Sequence, residues 1–201
     1  LPRDRADLYD RAVKLLLVHW DNRIVRDQEK GICRIEQGLI ARLGIRTDTL
    51  RSTLEQVALE AHETQENAAE RSGCADIARE DLRQAFTDGL SIGLDQAEKV
   101  IAYIQDRAGL LQAESKKIFR FPHRTFQEYL AAGCILKKGD FEEFLSERVQ
   151  RDLAWWQEVF LLAAGSSRGT PRNIYQLVDA LLSGDVENAV MTAKNVSWAR
   201  L

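Results

Sequence analysis

Three prolines in 201 residues leave long stretches of this chain free of the residue that most often breaks a helix. Cysteine is equally scarce. Cys33, Cys74 and Cys134 are odd in number and none has a partner at metal-ligand spacing. A disulfide framework and a zinc site are both poorly served, and a reduced, cytosolic setting is expected. No apolar run approaches the roughly 20 residues of a membrane-spanning helix, and the first residues lack a signal-peptide layout. Charge of one sign is lacking as well. Lys and Arg number 28 against 31 Asp and Glu, a formal net charge of −3 that offers no bulk attraction to nucleic acid or an anionic membrane. Missing too is any Gly-x-x-x-x-Gly-Lys-Ser/Thr loop, and the glycine-bearing turn at 165–169 has no lysine after it. No apolar run ends in the acidic side chains of a magnesium-holding strand. Phosphoryl transfer needs a phosphate cradle and a fixed metal, so no catalysis is expected of this chain by itself.

What is present reads as a soluble, mainly α protein, with 45% hydrophobic and 29% charged residues. Leu8, Ala12, Leu15, Leu16, His19 and Trp20 mark one face of a helix over residues 4–22. Residues 23–46 carry Gly31, Gly38 and Gly44 and read as a loose connection with one short helix near 34–43. A second helix starts near Asp48, with Leu50, Leu54, Val57, Ala58 and Ala61 on its stripe, and the polar stretch 62–72 ends it. A third runs over 76–88, with Ile77, Leu82, Ala85 and Phe86 inward and Gly89 as its stop. Asp95 and Glu98 have the spacing of a capping box before a fourth, whose inward residues are Ala97, Val100, Ile101 and Ile104. Residues 110–112 and 118–121 are short enough for strands, joined as a hairpin by the polar link 113–117. Beyond Gly139, helices are expected at 141–150, 153–164 and 173–182, and a further helical pattern over 185–201 has no stop signal. The absent initiator Met and this unfinished end suggest a fragment of something larger.

The densest signal is the run from Phe119 through Arg120, Phe121, Pro122, His123, Arg124, Thr125, Phe126, Gln127, Glu128, Tyr129 and Leu130 to Ala132. Alternation gives way at Pro122 to helical spacing, with Phe126, Tyr129, Leu130, Gly133 and Cys134 on one face. His123 is expected in the first turn of that helix. Unpaired amides and the positive dipole end suit a phosphate there, and an imidazole adds a donor. With Arg107-Ala108-Gly109-Leu110-Leu111 before it, the segment resembles the winged-helix signature of NACHT-family signalling NTPases, the class that includes NOD-like receptors and bacterial relatives. The run from Leu1 to Val13 is similar to the end of that family's first helical domain.

The resemblance implies a winged-helix domain with a small β-hairpin at 47–138, preceded at 1–46 by the end of a first helical domain and a linker. The start of a second helical domain would occupy 139–201. It implies a regulatory, autoinhibitory segment of a nucleotide switch, with His123 touching the β-phosphate of ADP in the full-length protein. The parent would be an ATP or GTP hydrolase using ADP or ATP with Mg, and this fragment would carry no cofactor. The implied partner is a nucleotide-binding domain of the same polypeptide, with oligomerisation in the parent and no membrane role.

Plainer readings attach to the other residues. Arg120 and Arg124 are expected as solvent-exposed charge, and Phe119, Phe121, Phe126, Tyr129 and Leu130 as core. Gln127 and Glu128 are expected in local hydrogen bonds. His19 on a buried face and His62 at a polar helix end have no ligand partners. Of Trp155 and Trp156, one is expected in the core and the other at an interface. Two other functions compete with the switch. A DNA-binding winged helix would read with residues 94–107, but Asp95, Glu98 and Asp106 oppose Lys99 and Arg107 there. A plain helical interaction scaffold would leave His123 dispensable.

Overall fold

In the computed structural model the described residues are 5–18, 23–26, 33–36, 38–68 and 71–166. The helices expected at 173–182 and 185–201, and also His19 and Trp20, lie outside the described residues. Chain order runs α1 (Arg5–Val18), β1 (Arg23–Arg26), β2 (Cys33–Glu36), α2 (Leu39–Arg42), α3 (Thr47–Glu66), β3 (Ile77–Ala78), α4 (Arg79–Leu90) and α5 (Leu94–Tyr103). A π turn at Ile104–Ala108 closes α5. Then come β4 (Gln112–Ala113), β5 (Ile118–Arg120), α6 (Arg124–Ile135), α7 (Phe141–Arg151) and α8 (Leu153–Ala164).

From α3 to β5 the order is helix, strand, two helices and a two-stranded wing; the spacings indicated the three helices and the wing but not the strand between the first two helices. The three strands pair antiparallel in the order β3-β5-β4. Ile77 lies opposite Phe119 and Ala78 opposite Ile118, while Gln112 faces Arg120 and Ala113 faces Phe119. Three expectations are corrected by this topology. Residues 23–46 are not a loose connection. β1 and β2 form an antiparallel ladder from Arg23–Glu36 to Arg26–Cys33, and among the described residues of this stretch only the four of α2 are helical. Ile24, Val25 and Ile35 suit extended backbone, and this preference outweighs the glycine punctuation around them. Residues 77–78 form an edge strand of the wing rather than the start of a helix. Two residues are too few to show a period. Leu110 and Leu111 are fully buried in the turn before β4 instead of forming strand.

Helix α3 is the spine. It ends at Glu66, inside the polar stretch 62–72 expected to stop it, yet His62, Gln65 and Glu66 are all buried. α6 crosses it closely because Gly133 has no side chain. A Cβ there would stand 2.8 Å from Glu55 Oε1. A single apolar cluster extends from Ala6 to Ala163, so α1, α7 and α8 share the core of the winged region. Salt bridges align α7 on α3 at one-turn spacing, with Arg148 Nε 3.1 Å from Glu63 Oε1 and Arg151 Nη2 2.6 Å from Glu66 Oε2.

His62 is not at a polar helix end. Its ring is fully buried, stacked on Trp155 at 4.8 Å and edge-on to Trp156 at 4.7 Å. Neither ring nitrogen makes a well-formed hydrogen bond, and the Trp155 main chain compensates only weakly. Burial, joined by the nearby Arg124 charge, pushes its pKa down to about 3. Both tryptophans are core, at 4% and 0% exposure, which corrects the division between core and interface. Helix α8 is apolar around most of its circumference, so neighbours cover both faces.

This burial makes stability depend on pH. Unfolded His62 takes up a proton near its ordinary 6.5, whereas the folded ring stays neutral down to about 3. Stability is therefore full above pH 6.5 and falls as pH drops toward 3. The slope is at most about 1.4 kcal/mol per pH unit. Urea unfolding at pH 6 and pH 5 should show the decline, and His62→Phe should flatten it. An equal decline in that variant would place its origin elsewhere.

Candidate functional site

Strand β5 ends at Arg120, and Phe121, only 2% exposed, anchors the corner after it. Pro122 then fixes the turn. His123 is the N-cap of α6 in an extended conformation (φ −144°, ψ 143°), one residue before the first helical turn in which it was expected. Its ring is exposed, lies 6.5 Å from Phe126 in a near-parallel arrangement, and makes no cap bond to the helix. Its carbonyl accepts from Phe126 N at 3.0 Å and, more weakly, from Gln127 N at 3.5 Å. The imidazole is therefore presented outward at the positive end of a twelve-residue helix.

The supports of this corner are long-range. Gln127 is fully buried and its Oε1 accepts from Ala75 N at 3.0 Å, which pins the stretch before β3 to α6. This corrects the expectation of purely local bonding. Glu128 does bond locally, to Arg124 Nε at 2.8 Å. Burial pushes its carboxyl up, against the opposing pull of Arg124. Arg124 and Arg120 are not plain surface charge. Arg124 Nη1 donates to the Arg71 carbonyl at 3.1 Å, and its guanidinium lies 4.2 Å from the Trp155 ring centre. Arg120 pairs with Asp76 and stands 3.7 Å from Glu114. Phe119, Phe121, Tyr129 and Leu130 are buried and Phe126 is half-buried against the core, as their spacing indicated.

Beneath the corner lies a buried polar cluster that the sequence did not announce. Arg51 on α3 donates from Nε to Glu55 Oε1 at 2.9 Å and from Nη2 to Tyr129 Oη at 2.7 Å, while Nη1 lies 2.9 Å from Asp10 Oδ1. Tyr129 in turn donates to Asp10 at 3.1 Å. Lys14 reaches Asp10 Oδ2 and Lys137 reaches Glu55 Oε2, each at 2.6 Å. Burial pushes the Tyr129 hydroxyl up to about 12, so it stays a donor across the physiological range. For Asp10 burial acts upward, but Lys14, Arg51 and Tyr129 together hold it below the usual carboxylate range. These contacts tie α1, α3 and α6 into one unit behind His123. Only the four-residue spacings of Arg51 with Glu55 and of Asp10 with Lys14 are visible in sequence.

Residues 5–135 match the family model described as a winged helix-turn-helix domain C-terminal to NACHT. This chain belongs to that family. No curated protein and no solved structure matches it. A winged helix-turn-helix of this kind is not a catalytic domain. The family match begins at Arg5, so α1 and the β1–β2 ladder fall within the matched region together with the wing.

The surface that a DNA-reading winged helix would use is acidic and partly occupied. Glu98 on α5 forms an ion pair with Arg79 and stands 3.8 Å from Arg83. It is thus not the capping partner expected for Asp95. Gln96 Oε1 instead accepts from the Gly93 amide at 3.1 Å. At the wing tip Ser115 Oγ accepts from the amides of Lys117 and Ile118, both at 3.2 Å. Among the described residues no helix is long and apolar enough to cross a membrane, and no group of His, Cys, Asp and Glu could hold a metal ion.

Proposed function

We propose that this winged helix-turn-helix domain is the regulatory, autoinhibitory segment of a nucleotide-controlled NACHT signalling protein, with His123 contacting the β-phosphate of bound ADP. The observation that carries this reading is the outward, uncapped imidazole at the start of α6, backed by a rigid corner. Adjacent arginines are already matched by carboxylates: Arg71 by Asp152 at 2.5 Å and Arg124 by Glu128 at 2.8 Å. Attraction for a phosphate therefore falls to the imidazole and the helix amides. These groups fit the phosphate end of a nucleotide. The rest of the nucleotide, with Mg and the hydrolytic machinery for ATP or GTP, belongs to the NACHT domain of the same polypeptide. The whole would operate in the cytoplasm, and replacing ADP by ATP would release the corner and permit oligomerisation.

Magnitude bounds the role of one side chain. A charge-assisted hydrogen bond contributes about 1.5–3 kcal/mol, whereas inverting a population from 1:99 to 99:1 takes about 5.5 kcal/mol. His123 tips the switch, and apolar burial between domains must supply the remainder. In the intact protein, His123→Ala is expected to weaken ADP retention about ten- to hundredfold and to lower the activation threshold. Dissociation of a fluorescent ADP analogue measures the first. Retention equal to that of the unaltered protein would remove the histidine from the mechanism.

A further inference from the structure

The family match ends at residue 135, yet the corner that presents His123 is held on one side by a residue well beyond it. Trp155, in the first turn of α8, is buried. Its indole has the Arg124 guanidinium 4.2 Å from the ring centre and that of Arg71 at 5.5 Å, and it stacks on His62 of α3 at 4.8 Å. Arg124 is the first helical residue of α6, directly after the His123 cap. The two helices therefore meet start to start. Asp152 completes the junction. Its Oδ1 caps α8 by accepting from Trp155 N at 3.1 Å, while Oδ2 takes Arg71 Nη1 at 2.5 Å. The Arg71 carbonyl in turn accepts from Arg124 Nη1 at 3.1 Å. Trp155, Asp152, Arg71 and Arg124 thus form a closed circuit of contacts behind the corner.

We infer that Trp155 is a positioning residue for His123: through Arg124, α8 holds the first turn of α6 at the angle that aims the imidazole outward. This role rests on the phosphate contact proposed for His123 and adds a means of regulating it. Arg124 Nε is engaged by Glu128 of its own helix. Among the hydrogen bonds and ring contacts of the described residues, the indole and the Arg71 carbonyl are what tie Arg124 to anything outside α6. Bulk for the core is supplied next door by Trp156, which is fully buried and meets His62 and Arg148 instead. A cation–π contact removed from water shifts an equilibrium by up to roughly thirtyfold. That is enough to order one helical turn and too little to hold a domain. A displacement of α8 therefore loosens the His123 corner without unfolding the wing, and the helices beyond the family match gain a hold on the phosphate contact.

Amide exchange in the 201-residue chain and ADP release from the intact protein test it together. Trp155→Leu should speed exchange at Phe126 and Gln127, whose amides bond to the His123 carbonyl, about tenfold while α5 stays unchanged. Trp155→Phe keeps a ring beside Arg124 and should restore slow exchange. Arg124→Gln, at a half-buried site that the fold tolerates more readily, should reproduce the acceleration. Leu162→Ala, two turns further along α8 and equally buried, should leave these amides slow. In the intact protein Trp155→Leu should release ADP about tenfold faster, and adding it to His123→Ala should bring no further loss. Unchanged exchange in both Trp155→Leu and Arg124→Gln, or equal acceleration by Leu162→Ala, would overturn the inference. So would unchanged ADP release in Trp155→Leu where His123→Ala still accelerates it. Should His123→Ala itself leave release unchanged, the phosphate role falls instead, and the exchange result alone decides whether Trp155 positions the corner.

Discussion

Arg51→Met is expected to cost about 3–5 kcal/mol of folding stability, the usual cost of removing one partner from a buried ion pair. Arg51 is 5% exposed at its side chain and serves Asp10, Glu55 and Tyr129 at once. Without the guanidinium, Glu55 keeps Lys137 and Asp10 keeps Lys14. The Tyr129 hydroxyl then lacks its donor, and a methionine sits against fully buried Glu55. Coupling is part of the prediction. Arg51→Met combined with Glu55→Gln should cost clearly less than the two separate losses added together, because the second change removes the charge that the first left uncompensated. Urea unfolding of the four proteins measures the cycle. Strict additivity would mean that the two residues act independently despite their 2.9 Å contact.

The same cluster bears on the proposed switch. Asp10 comes from α1, Arg51 and Glu55 from α3, and Tyr129 from the second turn of α6, whose N-cap is His123. A pull on the His123 corner is therefore carried into a packed three-helix unit rather than absorbed by a loop. The other side of the corner is fixed through Arg124 on Trp155. The proposed release of nucleotide by movement as a body would need this stiffness, because packed cores shift between discrete arrangements instead of deforming gradually.

Much of this was legible in the sequence because it is carried by local periodicity. The stripes of α3 and α5, the aromatic core of the wing and the strand-to-helix corner at Pro122 all repeat at fixed intervals, and they gave the helix order correctly. Features set by distant partners left no such trace. Nothing beside His62 in the chain announces the tryptophans that enclose it, the first of them, Trp155, lying 93 positions further on. Trp155 and Trp156 looked divided between core and surface because adjacent helical residues point about 100° apart. That reasoning fails for a helix covered on several sides. The ladder of β1 and β2 and the two residues of β3 fell below the length at which alternation can be told from chance. His123 was found in sequence through a family resemblance, whereas the network behind it needed the coordinates.

Gly89 shows how one residue can carry two opposite readings, and it supplies the second large expected effect. In sequence it looks like the stop of a helix. In the structure α4 continues to Leu90, and its C-cap is Ser91, which takes the left-handed conformation at φ 54°. Gly89 is there for close approach. A Cβ would stand 2.5 Å from Thr53 Oγ1 and 2.8 Å from Thr53 Cγ2, where α4 crosses α3. Thr53 has little freedom to yield, being buried with its hydroxyl bonded to the Thr49 carbonyl at 3.0 Å. In an open helix Gly→Ala would gain up to about 1 kcal/mol. Here overpacking reverses the sign, and Gly89→Ala should lose about 1–3 kcal/mol. Thr53→Ala removes both clashing atoms, so the double variant should recover most of that loss. Thermal unfolding of the single and double variants decides the matter. A neutral or stabilising Gly89→Ala would show that the two helices separate at little cost, and the rigid unit behind His123 would then lose one of its supports.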